Sequence, residues 1–317
     1  IVKTFKAMQE KIDYFEREMA FLKSKVNSVG PKVKEIVTNE VPPPSQEPQA
    51  EQQQNETQTQ QQQAPEQKGE SHPRSGNYAE NDVSIEYIAH ASFRITSPDG
   101  TRIIIDPYAS NVWIGYAYPE NLSADALVIT HPHYDHDGGA YRNLPPSWDV
   151  VPKIFRRTGH YQVNDISLIG VAGRHADPYG KEFGQINVVW VIEVGGIRIA
   201  HLGDNGPITP SMAKEIGKVD ILMLPADKDQ HILKNSEALE FLTALEPKIQ
   251  IPMHYCIPDL QPEGKCPGGL FPIAEPLMSG TRINEIAGNK ITVHAKTLPE
   301  NAEYWIFEPS PLIVRAN

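Results

Sequence analysis

Nine consecutive residues constrain this chain more than any others: His131-Pro132-His133-Tyr134-Asp135-His136-Asp137-Gly138-Gly139. They follow directly on a short apolar run, Ala126 to Thr130, which reads as a buried strand. The polar cluster therefore sits at the end of a strand. His131 and His133 are two residues apart in an extended or tightly looped segment, so their imidazoles can converge on one ion. Asp135 and His136 follow at once and can point at a second position. Imidazole nitrogen with carboxylate oxygen suits Zn2+ and, with more oxygen, Mn2+ or Fe. A lone histidine is more often structural, but four ligand-type side chains in six positions have no packing rationale. The motif reads as a metal site.

Around it the chain alternates strands and turns. VSIEYIAHASFRITS is strand-like, PDGT is a turn and RIIIDPY a second strand, together a hairpin. A second hairpin, NVVWVIEV-GG-IRIAHLGD, is followed by the strand VDILMLP, the helix SEALEFLTALEP and the strand IQIPMHY; ITVHAKT and YWIFEP form a final pair. Strands mixed with helices, with polar loops at strand ends, predict a layered α/β architecture.

The string THPHYDHDGG resembles the HxHxDH signature of the metallo-β-lactamase fold hydrolases. The strand pair ending at Asp106 is similar to that family's opening IDP motif. VAGRHADPYG presents His175 where the family has its third histidine, HLGDNG supplies Asp204 at the metal-bridging aspartate, and IPMHY supplies His254 at the final histidine. The resemblance runs through residues 83–298, and IAHASFRI, GDNG and IPMHY look most like the branch of ascorbate-6-phosphate lactonase and the phospholipase D acting on N-acyl-ethanolamine phospholipids.

That resemblance implies an α/β fold, a four-layer αββα sandwich with a dinuclear site at one sheet edge. One divalent ion would take His131, His133 and His175; the other would take Asp135, His136 and His254, with Asp204 bridging. Zn2+ is the first expectation, Mn2+ or Fe the alternatives. Two cations about 3.5–4 Å apart share a hydroxide acidic enough to form near neutral pH, and they stabilise charge developing on the attacked oxygen. Asp135 would orient that hydroxide as the catalytic carboxylate. Asp106 would act behind the ligands, fixing one of them or a loop.

Other candidates divide between function and structure. His90 lies near the site under the resemblance and is open to either role, whereas His201 reads as structural. His231 and Lys228, in PADKDQHILKN, and Tyr255, directly after His254, are candidates to contact substrate. His72, His160 and His294 carry no functional signal. No GxSxG elbow, GxGxxG, Walker loop or CxxC occurs.

The N-terminal quarter has a different chemistry. Ile1, Phe5, Met8, Ile12, Phe15, Met19, Leu22, Val26 and Val29 alternate four and three apart, the seam of a coiled coil. Gly30-Pro31 should end or kink that helix. The expectation is an oligomerisation helix over residues 1–40, self-associating through residues 1–29; the alternative is an amphipathic helix lying on the globular domain. Phe at two seam positions argues against a standard dimer. Residues 41–77 hold eleven Gln, six Pro and no Phe, Tyr or Trp, too little apolar surface to offset the entropy of ordering. A disordered Gln/Pro-rich linker is expected over 41–80 and the hydrolase domain over 81–317.

The domain's C-terminal end leaves little room for the helical substrate domain of glyoxalase II, and nothing resembles the inserted domain of the RNA-processing nucleases. A net charge of -11 for the whole chain argues against nucleic acid as partner. The functional expectation is a metal-dependent hydrolase of a small ester, lactone or phosphodiester. The alternative is an assembly protein in which the coiled coil carries the role and the hydrolase fold is a structural module. The chain opens at Ile1-Val2-Lys3, so a processed or truncated N-terminus is expected, the preceding piece being a signal peptide, a membrane tether or only a few residues, with a bacterial extracytoplasmic placement preferred to a cytoplasmic one. Under that placement Cys256 and Cys266 should be bridged; otherwise they are free thiols.

Overall fold

The structure is a computed structural model in which residues 81–110, 113–120, 122–138 and 152–315 are described. The expected coiled coil and linker, residues 1–80, lie outside the described residues.

Two sheets carry the domain. The first runs, in spatial order, β14 (Lys290–His294), β1 (Asp82–Ala89), β2 (Ser92–Thr96), β3 (Arg102–Ile105), β5 (Ala126–Val128) and β6 (Lys153–Phe155). The second runs β13 (Arg282–Ile286), β15 (Glu303–Phe307), β12 (Ile249–Met253), β11 (Ile221–Pro225), β10 (Ile197–His201), β9 (Ile186–Val194), β8 (Ile166–Arg174) and β7 (Gly159–Val163). A short pair joins β4 (Tyr116–Ala117) to β16 (Val314–Arg315). The helices described are α1 (Tyr179–Phe183), α2 (Pro210–Ile216) and α3 (Asn235–Leu245).

β3, β5 and β6 are parallel, as are β10, β11 and β12. Strands buried on both faces read as continuous apolar runs, and β11 (ILMLP) and β5 (ALV) are buried throughout. One hydrophobic core takes side chains from both sheets, among them Ile85, Phe93, Ile104, Leu127, Trp190, Ile199 and Met223. Trp190 ties the sheets together, its Nε1–H donating to Ile129 O at 3.0 Å. α3 buries Ala238, Phe241, Leu242 and Leu245. The mixed α/β fold agrees with the sequence expectation; a helical layer over the outer face of the first sheet is not among the described residues.

Two local expectations differ. VSIEYIAHASFRITS, read as one strand, breaks into β1 and β2 at His90, whose φ is +57°, beside a register shift between Tyr87 and Ala89. Period-2 patterning shows which face a residue takes and is silent about such a break. ITVHAKT and YWIFEP, read as a pair, enter different sheets: β14 pairs with β1, and β15 with β12 and β13.

Parallel strands within each sheet bring their C-terminal ends to one edge. Asp106 follows β3, the 131–136 loop follows β5, Asp204 follows β10, and His254 follows β12. His175 enters from the end of β8 and His90 from the β1–β2 turn.

Candidate metal centre

The loop after β5 is folded tightly enough to use every ligand type it carries. His136 N–H and Asp137 N–H both donate to His133 O, at 3.0 and 2.7 Å. Gly138 lets the loop lie flat on the strand-end backbone before it: a Cβ there would stand 2.3 Å from Tyr108 O. His131 and His133 thereby face each other, Nε2 to Nδ1, at 3.1 Å.

Two groups of ligand-type side chains result. In the first, one atom each from His131, His133, His175 and Asp204 lie within 4.8 Å of one another; His90, Asp135, His136 and His254 make the second by the same measure. Asp204 joins them. Its Oδ1 is 3.2 Å from His136 Nε2, and its Oδ2 is 3.2 Å from His254 Nε2, 3.5 Å from His175 Nε2 and 3.8 Å from His131 Nε2. Asp135 Oδ2 sits 3.1 Å from His90 Nε2, 3.6 Å from His254 Nε2 and 3.8 Å from His136 Nε2.

The hydrogen bonds behind these rings decide which nitrogen each presents. Asp106, fully buried, accepts Thr130 N–H on Oδ1 at 2.8 Å, and the Thr130 hydroxyl on Oδ2 at 2.7 Å. That hydroxyl has spent its proton, so its 3.0 Å contact with His131 Nδ1 is one in which the ring donates. His136 Nδ1 likewise donates to Asp106 Oδ2 at 2.7 Å, and His175 Nδ1 donates to Ala176 O at 2.9 Å. In all three rings the proton is held on Nδ1, and Nε2 is left as a lone pair facing the site when the ring is neutral. Gln185, which sequence reasoning did not single out, contacts His133 Nε2 with its side-chain amide at 3.0 Å.

Those lone pairs fit a cation. His136 Nε2, His175 Nε2, both ring nitrogens of His254 and Asp204 Oδ1 are buried without a hydrogen-bond partner. A buried polar group left unpaired costs about 1–3 kcal/mol, and here several such atoms converge on two carboxylates. His90, Asp106 and His254 also hold left-handed backbones, with φ of +57°, +44° and +57°. For such residues that conformation costs roughly 1–3 kcal/mol each, and it concentrates at functional sites.

Charge divides the two groups. Burial, helped by neighbouring imidazoles, holds His131 well below the ordinary histidine range; burial, opposed by Asp135, takes His133 to about 4. Burial and then His254 take His90 to about 4. Burial pulls the same way at His136 and His254, but carboxylates outweigh it: Asp204, Asp135 and Asp106 hold His136 well above the usual range, and Asp204 and Asp135 hold His254 at about 9. In return, burial of Asp135 and Asp204 is overridden by His136 and its neighbours, and both carboxyls stay far below their usual range.

The remaining candidates lie outside this cluster or at its rim. His231 stacks on His254, centroids 5.8 Å apart, and its backbone N–H donates to Asp227 Oδ1 at 3.0 Å. Lys228 is exposed, with its N–H on Pro272 O. Tyr255 packs beneath the site against Tyr87, centroids 6.3 Å apart. His201 is structural by its bonds: Gly203 N–H donates to its Nδ1, and its Nε2–H donates to Ala91 O. Two aromatic walls carried no sequence signal: Trp113, 6.1 Å from the His90 ring, and Tyr179, 4.8 Å from the His133 ring. Cys256 and Cys266 form a disulfide two residues beyond His254.

Comparison with known proteins agrees with this architecture. The family profile described as a β-lactamase superfamily domain matches residues 84–254. A UPF0173 metal-dependent hydrolase from Thermococcus onnurineus is 28% identical over 192 residues, covering 55% of this chain and 84% of that protein. One from Thermus thermophilus is 28% identical over 203 residues, covering 58% and 88%. A crystal structure from Thermotoga maritima, assigned to the Zn-dependent hydrolases of the metallo-β-lactamase superfamily, superposes with a TM-score of 0.53 at 26% identity, covering 71% of this chain and 98% of the other. With the match spanning more than half of its length, the chain belongs to the metallo-β-lactamase superfamily.

Proposed function

We propose that this chain is a hydrolase that holds two divalent ions and cleaves a small ester, lactone or phosphodiester. The observation that carries it is Asp204 standing between two buried histidine groups, within 3.2 Å of His136 Nε2 on one oxygen and of His254 Nε2 on the other. His131, His133 and His175 would hold one ion, and Asp135, His136 and His254 the other, with Asp204 shared; His90 stands in the second group as partner to Asp135. Zn2+ suits this imidazole-rich donor set, with Mn2+ or Fe as the other ions it accepts. When bound, such ions supply an acidified water and polarisation of the attacked bond.

The chain's own residues do the rest. Asp135 stays ionised beside His136 and is the acceptor that orients the attacking water and takes its proton. His90 fixes that carboxylate from behind at 3.1 Å. Asp106 and Thr130 keep His131 and His136 turned inward.

Metal analysis of the purified protein, with turnover of an ester, lactone and phosphodiester panel, tests the proposal. Two equivalents of ion and turnover lost in H131A are expected. A protein that takes up no metal, or activity indifferent to H131A, would sink it.

The Cys256–Cys266 bridge supports an extracytoplasmic placement, since disulfides persist in oxidising compartments. Labelling of free thiols in protein lysed under alkylating conditions should find none; two reactive thiols would count against this placement.

A further inference from the structure

α1 presses an apolar ledge against the first histidine group. Gly180 N–H donates to Ala176 O at 3.1 Å, and a Cβ at Gly180 would fall 1.8 Å from His175 O, so only glycine lets the helix seat this close to the ligand-bearing backbone. The close seat stands the Tyr179 ring edge-on to His133 and His175, at 4.8 and 5.1 Å between centroids. Outward along the helix, Phe183 lies 6.1 Å from Tyr179 and is 66% exposed. Phe183 is the most exposed large apolar side chain among the described residues. Isolated exposed apolar residues need no explanation; here Phe183 continues, through Tyr179, a surface that begins at the imidazoles.

Resting on the hydrolase proposal, we propose that Tyr179 and Phe183 form a subsite for an apolar arm, so that the substrate is an amphiphile: a hydrolysable polar head bonded to a phenyl-sized or alkyl group. The head meets the histidines and carboxylates, and the arm lies along α1, covering Phe183. Phe183 selects the substrate through buried area and touches none of the reacting atoms.

The test measures binding of two metal-chelating probes, acetohydroxamate and hexanohydroxamate, to the zinc-loaded full-length chain by calorimetry. The longer arm should tighten binding about tenfold or more, the effect expected for burying about two of its four extra CH2 groups. F183S should cut that gain to twofold or less and leave acetohydroxamate unchanged, and F183L should restore most of it. Equal affinities for the two probes, or a gain indifferent to F183S, would overturn the subsite while leaving the metal centre standing. Failure of both probes to bind a chain that also takes up no zinc would remove the hydrolase proposal and the subsite with it. A concentration-dependent dimer abolished by F183S, with no effect of arm length, would assign the ledge to a second copy and overturn the proposal.

Discussion

Asp106 Oδ2 lies 2.7 Å from His136 Nδ1 and 2.7 Å from the Thr130 hydroxyl, which in turn accepts a hydrogen bond from His131 Nδ1–H. One buried carboxylate thus sets the facing nitrogen in both groups, without itself belonging to either.

Removing that control should weaken metal binding more than it weakens the fold. For D106A, zinc affinity is expected to fall about 10–100-fold, the usual effect of losing a partner behind a ligand. Competition titration against a chromophoric chelator measures it, with circular dichroism as the check on folding. Wild-type affinity in a folded D106A would show that His131 and His136 need no such orientation.

Metal uptake should release protons. An ion can bind only deprotonated imidazole, and His254 is held at about 9 by Asp204 and Asp135 against the pull of burial. His131 and His133 are already neutral at pH 7, so the release comes from the second group. Zinc affinity should therefore rise with pH between about 6.5 and 9. Calorimetry in buffers of different ionisation enthalpy reads the proton count; uptake with no proton exchange at pH 7 contradicts the assignment.

The metal-free chain should show the opposite trend. A histidine whose folded value is raised contributes stability that is complete below the unfolded value of about 6.5 and is lost as pH climbs through the folded value. For His254 that window ends at about 9, so the midpoint of thermal unfolding in chelator should drop across it. Added zinc should reverse the drop through preferential binding to the folded state. A flat profile in chelator would speak against the carboxylate–imidazole contacts.

The disulfide should matter to the site as well as to stability. Cys256–Cys266 closes the segment carrying Gln261, whose Nε2 donates to Ile114 O at 2.8 Å, next to the Trp113 wall beside His90. Closing a loop of that size contributes about 2–3 kcal/mol, so C256S/C266S should lower the denaturation midpoint accordingly. It should also raise KM, because the segment begins two residues after His254 and holds the wall. A stability loss with unchanged KM would separate the bridge from the site.

Much of the centre was legible because its chemistry is local. The spacing of His131, His133, Asp135 and His136 lies within one loop, and a strand leading into that loop states where the loop will stand. His175, Asp204 and His254 followed from the family resemblance, each at the end of an apolar run. His90 stayed open between two roles because its direction depends on a left-handed backbone at a strand break, which alternation does not encode. Gln185, Trp113 and Tyr179 were missed for a related reason: a glutamine or an aromatic ring has no spacing that marks it as facing a site.

By itself, then, the sequence determined which side chains could bind metal and many of the strands, though not β6, β7, β8 or β13, since ligand chemistry and period-2 burial are properties of residues and near neighbours. Tertiary structure alone decided that the ends of β3, β5, β8, β10 and β12 meet at one edge, that Asp204 falls between the two histidine groups, and that α1 lays Tyr179 beside them. Those relations depend on the packing of two sheets through one core, which brings together residues as far apart as Asp106 and His254.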